Sequence, residues 1–293
     1  MSFFTSTVLR PMSQEQIARK APAVYATAPK STTSDKYLFV STQKLIDSLG
    51  KYGWNVVAAS QTMNRGSTSE AVMTNKHALF LAPQDMLEKQ FNYGDTMPLM
   101  KIENAHNGAA SFHMTTGFFR KACANGLTVP ESIFAAPKIK HTKDMANDVV
   151  EAAYTVMKDF PKLTEMQKVL SHVQLNTEER LLLLDTASDI FFDRETRELQ
   201  ETMAKKQFRP ERWSLVDQLG AAQRYQDRKN DLWTVTNVIQ ENLIRGNVRL
   251  LSETGHARSQ RKVTSIDRDN DIHEKLFAMT AKFAELKGVR ITA

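Results

Sequence analysis

From Tyr37 onward, apolar positions fall into short runs separated by polar turns, and their spacing changes near residue 143. "YLFV" over 37–40 reads as a short strand. "STQKLIDSLGKYGW" places Leu45, Ile46 and Leu49 on one helical face, with Ser41 or Thr42 as N-cap and Gly50 or Gly53 as the stop. "WNVVAASQT" then predicts a strand from Trp54. "MNRGSTSE" predicts a polar turn around Gly66, and "AVMTNKHALFLAP" a returning strand that ends before Pro83. In "MPLMKIENAHNGAASFHMTTG", Asn107-Gly108 separates two segments able to pair, because both residues tolerate positive φ. On the returning arm Ala110, Phe112 and Met114 alternate with Ser111, His113 and Thr115, the two-residue period of a strand with one apolar face. "GFFRKACANGLTV" leaves two readings open: a short helix ended by Asn125-Gly126, or a further strand.

Beyond "PKIKHTKD" the period becomes helical. Met145, Val149, Val150, Ala153, Val156 and Met157 form one stripe. Asn176 with Glu179 predicts a capped second helix carrying Leu181 to Leu184, Ala187, Ile190 and Phe191. A charged helix is expected through "ETRELQETMAKK". Another follows in "DLWTVTNVIQENLIRG", stopped by Gly246, and a last one runs from about Asp271 to Leu286. The predicted fold is α+β, an N-terminal antiparallel sheet with a helix followed by a mostly helical C-terminal half. Residues 1–35, rich in Ala, Ser, Thr and Pro, are expected as a flexible arm, 36–142 as the α+β core with its hairpin, and 143–293 as a helical region packed on that core.

Composition narrows the chemistry. No apolar run is long enough to span a bilayer, and "MSFFTSTVLRPMSQEQ" is unlike a signal peptide, so a cytoplasmic protein is expected. Cys123 is the sole cysteine, which excludes an internal disulfide and a Cys-rich zinc module. His106, His113 and Cys123 match no compact ligand spacing, so no metal is expected, and Cys123 among small apolar residues reads as filler rather than nucleophile. Neither "GxxxxGK[ST]" nor "GxGxxG" occurs; no nucleotide cofactor and no enzymatic activity are expected. Acidic pairs such as Asp189 with Asp193 read as a solvated helix face.

The basic residues change the picture more. The net charge is +6, and residues 1–142 carry 15 Lys and Arg against 9 Asp and Glu, 144–204 carry 6 against 13, and 205–262 carry 12 against 6. Two basic regions therefore flank an acidic one, a distribution that suits either a nucleic-acid face or internal charge pairing. Arg120 and Lys121 follow two phenylalanines, and "GHARSQRKVTSIDR" concentrates Arg258, Arg261, Lys262 and Arg268 in a stretch with little periodicity. Trp54, Trp213, Tyr225 and Trp233 lie near Arg65, Arg212, Arg224 and Arg228, the combination of flat side chains and cations that single strands need, although Trp233 also fits a helix core.

"NAHNGAASFHMTTGFFRKACANGL" resembles the signature of the phage- and plasmid-encoded family called domain of unknown function 932, and "DLWTVTNVIQENLIRG" and "ARSQRKVTSIDRDNDIHEKLF" are similar to its two later motifs. The departures are Asn107 in place of an aspartate, Lys121 and Ala122 at a more apolar place, and His273 and Phe277 near an Asn and a Trp. The resemblance implies a mobile genetic element, and with it DNA metabolism, recombination or escape from host defence. The helix ending "LGKYGW" and the strands after it also resemble the β-hairpin platform of Rad-fifty-two-type annealing proteins, a likeness at fold level. That likeness implies an oligomer, ring or filament, that holds single-stranded DNA in a basic groove and anneals strands without ATP. In that reading Arg65, Arg120, Lys121, Arg258, Arg261 and Lys262 contact DNA, Trp54 packs beneath the groove, and His106, Asn107, Gly108, Cys123, Asn125 and Gly126 are structural. A phage exonuclease is a candidate further partner. The rival reading is a non-enzymatic counter-defence protein that binds a host protein through its acidic segment.

Overall fold

The computed structural model describes residues 8–63, 66–89, 96–120, 125–128, 145–192, 212–251 and 257–291. The chain divides into two units, one made of residues up to 163 with 264–267, the other of 164–263 with 268 onward. The expected α+β class is the observed one: an antiparallel sheet with helices in the N-terminal half, helices in the C-terminal half.

In the first unit, the stretch expected as an arm carries helix α1, Gln14–Lys20, and a 3-10 turn, Pro22–Tyr25. Ser13 and Gln16 bond each other's backbone amides reciprocally at the start of α1. Ile17, Ala21, Ala23, Val24 and Ala26 are buried. Met12 N donates to Val56 O at 2.8 Å, and Ala23 N donates to Gln61 Oε1 at 2.8 Å. Alanines contribute little apolar area each, but their small side chains allow backbone to lie close to backbone. Mean composition therefore understated the order of this stretch. Residues 37–40 form no strand, since a strand needs a ladder partner and Tyr37 instead donates its hydroxyl to Ala105 O at 2.8 Å.

Helix α2, Thr42–Gly50, is capped by Ser41 and buries Leu45 and Leu49. The chain turns at Gly53, φ 81°, into β1, Trp54–Gln61. The apolar run expected as one strand divides at Asn75. Thr68 caps helix α3, Ser69–Thr74, by accepting from Ala71 N, and β2, His77–Pro83, begins only after it. A short helix α4, Gln84–Glu88, follows. β3, Thr96–Asn104, β4, His113–Arg120, and β5, Asn125–Thr128, complete a five-stranded antiparallel sheet in the order β1-β2-β3-β4-β5. β2 is buried throughout, as a strand covered on both faces must be. On one side Val57, Phe80, Met97, Leu99 and Phe119 pack together, with Leu9, Met86 and Leu87 against them.

The hairpin around Asn107-Gly108 joins β3 to β4 through residues 105–112, with Gly108 at φ 74°. Alternation holds at the start of β4, where His113 is exposed and Met114 buried, and then gives way to burial from Thr116 to Arg120. Of the two readings left open for "GFFRKACANGLTV", the strand is the one observed at Asn125-Gly126. The pair lies in β5, with Gly126 opposite Phe119 and Asn125 opposite Arg120, because β4 offers an edge on which an extended segment satisfies its backbone groups.

Helix α5 spans Met145–His172. In the second unit, helix α6, Thr177–Phe192, begins with the expected reciprocal pair: Glu179 N donates to Asn176 Oδ1 and Asn176 N to Glu179 Oε2, both at 2.8 Å. The charged helix expected over 195–206 lies outside the described residues. Helix α7, Arg212–Leu219, is followed by a 3-10 turn, Tyr225–Asp227, and by helix α8, Leu232–Arg245. Asp231 caps α8 by accepting from Thr234 N at 2.8 Å, and Gly246, φ 75°, ends it. β6, Arg249–Leu251, and β7, Ala257–Ser259, form a two-stranded ribbon. The last helix, α9, spans Ile266–Leu286, starting before the expected Asp271 because Ile266 is itself buried.

α8 is buried from Leu232 to Ile244, so its polar residues face protein too. Asn242 Nδ2 lies 2.9–3.1 Å from the carbonyl oxygens of Gln218, Leu219 and Ala221 and satisfies the end of α7. Gln240 meets His273 at 2.9 Å, and Thr236 meets Thr280 at 3.0 Å.

Candidate functional site

Lys101 and Glu103 are two residues apart on β3, so both side chains leave the same face of the strand. Lys101 is fully buried and lies over the Phe80 ring. Its ammonium is 2.9 Å from Glu103 Oε1, and Lys76 is 2.9 Å from Glu103 Oε2. Lys76 also reaches Asp267 Oδ1 at 2.6 Å, a residue 191 positions along the chain. Burial pushes the Glu103 carboxyl upward, but the ammoniums of Lys101 and Lys76 outweigh it and hold the group at about 2. Burial likewise opposes the charge on Lys76, while Glu103 and Asp267 win and raise its pKa. The Glu103 carboxylate thus faces an ammonium on each oxygen, and each buried charged side chain of the row has an opposite partner.

Behind the hairpin loop lies a second polar group, centred on Thr42. His77 Nδ1 faces the Asn75 carbonyl at 3.0 Å, which requires the proton on Nδ1 and leaves Nε2 to accept from the Thr42 hydroxyl at 2.8 Å. Thr42 Oγ1 accepts from Asn104 Nδ2 at 3.0 Å, and His106 Nε2 stands 3.4 Å away. His106 is buried against Phe39 and His77. Its backbone N–H donates to Thr74 O at 2.9 Å, and its carbonyl accepts from Lys30 N at 2.8 Å. The "NAHNG" segment is therefore sewn to four neighbouring segments and projects an Asx turn, in which Asn107 Oδ1 accepts from Ala109 N at 3.0 Å. A cleft of about 920 Å³ opens between this turn and Lys76, lined by Tyr37, Asn75, Lys76, Asn107, His113 and Asp267 among others.

The residues expected to touch DNA are distributed between the units. Arg120, at the end of β4, is 6% exposed. Arg258 stands in β7 opposite Leu250. Arg261 and Lys262 are exposed, on a stretch anchored where Gln260 N donates to Val248 O at 2.8 Å and Val263 N to Ile244 O at 2.9 Å. Arg65, Lys121 and Cys123 lie outside the described residues. Trp54 is buried edge-on to Phe160, and Trp233 is buried in α8.

Tyr225 differs from both tryptophans. It is 79% exposed, and the Arg228 guanidinium lies over its ring, 5.8 Å from the centroid. The turn that presents it is braced from within: Asp227 is buried and accepts from Arg224 Nε at 2.8 Å, while Arg224 also pairs with Glu241 of α8. Arg228 and Lys229 are exposed beside it. Sequence reasoning named Tyr225 and Arg228 only among several aromatic and basic residues, outside its expected DNA contacts, and missed Lys76, Lys101, Glu103 and Asp267. The available signal was Lys101 within the apolar run "MPLMKIEN", with an acid two residues on.

Residues 29–275 match the family described as domain of unknown function, DUF932. The chain belongs to this family. Two Escherichia coli K12 relatives, UPF0380 protein YfjQ and UPF0380 protein YafZ, are each 28% identical to it over 270 residues, covering 92% of this chain and 90% of theirs. No solved structure matches. None supports the expected likeness of the sheet to annealing proteins. In this DUF932 chain the family match takes in the hairpin loop, the Tyr225 turn and Asp267, so both polar sites fall inside it. Among the described residues no cluster of His, Cys, Asp and Glu is arranged to hold a metal ion, and no helix is long and apolar enough to cross a membrane.

Proposed function

We propose that this protein binds single-stranded DNA and, as an oligomer, promotes ATP-independent pairing of complementary strands. The observation that supports it most is the exposed Tyr225 ring with Arg228 across it, on a turn braced by Arg224 and Asp227. A base stacks on an exposed ring whatever its identity, and neighbouring cations hold the phosphates, which together give affinity without sequence preference. Arg228 and Lys229 supply such cations, and exposed Arg261 and Lys262 of the same unit add two more.

Fluorescence anisotropy with a labelled oligothymidylate tests this reading. Tyr225→Ala is expected to weaken binding by about tenfold, the loss of one stacked base. Replacing Arg261 and Lys262 together by alanine should reduce the salt slope of log affinity by about 1.4, the release expected from two phosphate contacts on a single strand. A wild-type chain without salt-dependent affinity for the oligonucleotide would overturn the proposal. If it then held a host protein in a pull-down, a counter-defence role would replace it.

A further inference from the structure

The cleft beside the hairpin loop holds an ammonium whose two carboxylate partners differ in kind. Glu103 is 7% exposed and is held from behind by the buried Lys101. Asp267 is 75% exposed and meets Lys76 from the open side. Lys76 itself retains 18% of its accessibility. One partner is therefore built into the sheet unit, and the other occupies a position that an incoming anion could take. Because Asp267 is the solvated member of the pair, water screens its hold on Lys76, and the exchange costs little. Around the Lys76 ammonium the cleft gathers Lys36, Asn75, Asn107, Ser111 and His113, donors suited to the several oxygens of a tetrahedral anion. Tyr37 and Leu38 add apolar wall, and about 920 Å³ exceeds what a lone oxyanion needs.

We propose that this cleft binds a phosphate monoester, with Lys76 exchanging Asp267 for the ligand's phosphate, so that the Asp267 carboxylate is an internal stand-in for it. The chemistry is that of a nucleoside monophosphate or of the phosphorylated end of a strand. It is separate from the Tyr225 surface and does not depend on it.

Calorimetric titration of the full chain with inorganic phosphate, thymidine, thymidine 5′-monophosphate, and a short oligothymidylate with and without a 5′-phosphate tests it. The monophosphate is expected to bind where thymidine does not. Asp267→Asn, which leaves Lys76 in place with Glu103 as its carboxylate partner, should tighten that binding by about fivefold, the worth of one ion pair with an exposed partner. Lys76→Gln should abolish it. Because Lys76→Gln also strips Glu103 of a partner and can unfold the sheet, Lys36→Gln on the exposed rim serves as the second variant, with a loss of about threefold expected for one solvated contact. Tyr225→Ala should leave monophosphate binding unchanged, which separates failure at this site from failure of the stacking surface. Displacement of the monophosphate by the phosphorylated oligonucleotide alone would identify the strand end as the source. Its persistence would identify the free nucleotide. Binding of thymidine as tightly as the monophosphate, or Asp267→Asn affinity no greater than wild type, would overturn the proposal.

Discussion

Thr42 has one hydroxyl and three polar neighbours, and the direction of its bonds follows from the Asn75 carbonyl that fixes the His77 tautomer. Thr42→Val keeps the shape and deletes the hub, leaving buried His77 and Asn104 groups without it. A loss of about 2–3 kcal/mol is expected, to be read from the urea midpoint of the full chain. His77 also makes stability depend on pH. Burial, helped by His106 and opposed by the Asn75 carbonyl, lowers it from its ordinary 6.5 to about 3. Between those values the unfolded chain takes up a proton that the folded chain refuses. The contribution is therefore complete above pH 6.5 and is lost as pH falls toward 3, on the order of a few kcal/mol. Glu103, held at about 2 against an ordinary 4.5, adds a loss only below 4.5. His77→Gln should flatten the stability profile above pH 4.5 and leave the steeper acid limb. A wild-type profile level from pH 7 to 5 would contradict this. At this scale the sequence drew attention to His106, Asn107 and Gly108. It did not mark Lys76, since nothing local to "TNKHAL" announces a carboxylate arriving from position 267.

Among the elements, ends were more legible than identities. Ser41 before α2, Asn176 with Glu179 before α6, and Gly246 after α8 acted as their chemistry requires, because a cap is settled within one helical turn. Gly246 carries a second requirement that no local pattern contains. A Cβ there would lie 2.4 Å from the Gln260 carbonyl oxygen and 3.0 Å from Lys262 N, as well as adopting φ 75°. Gly246→Ala should therefore destabilise the helical unit by more than about 2 kcal/mol, whereas Gly50→Ala, which meets nothing within 4 Å at the end of α2, should be neutral or stabilising by up to about 1 kcal/mol. Thermal melts of the two variants beside wild type would show the contrast, and equal shifts would refute it. The same locality explains the misses. "AVMT" has the apolar content of a strand but follows a Thr68 cap, and "NGLT" has a turn dipeptide but pairs with the edge of β4. In both, a neighbour in space or a cap outvoted intrinsic preference.

For the whole molecule, the annealing proposal predicts a mass above the 33.2 kDa of one chain under native conditions, and faster pairing of complementary oligonucleotides without ATP. A monomer that leaves the pairing rate unchanged would contradict it. The α+β class, the hairpin, the family and the capped helices were determined by the sequence alone, because two- and four-residue periods, caps and motifs are properties of contiguous residues. The buried N-terminal alanines, the Lys76–Asp267 pair, and the contrast between buried Trp54 and Trp233 and exposed Tyr225 were decided only by the tertiary structure. Burial and charge pairing depend on which distant segments share a volume, and no spacing along one segment encodes its partner.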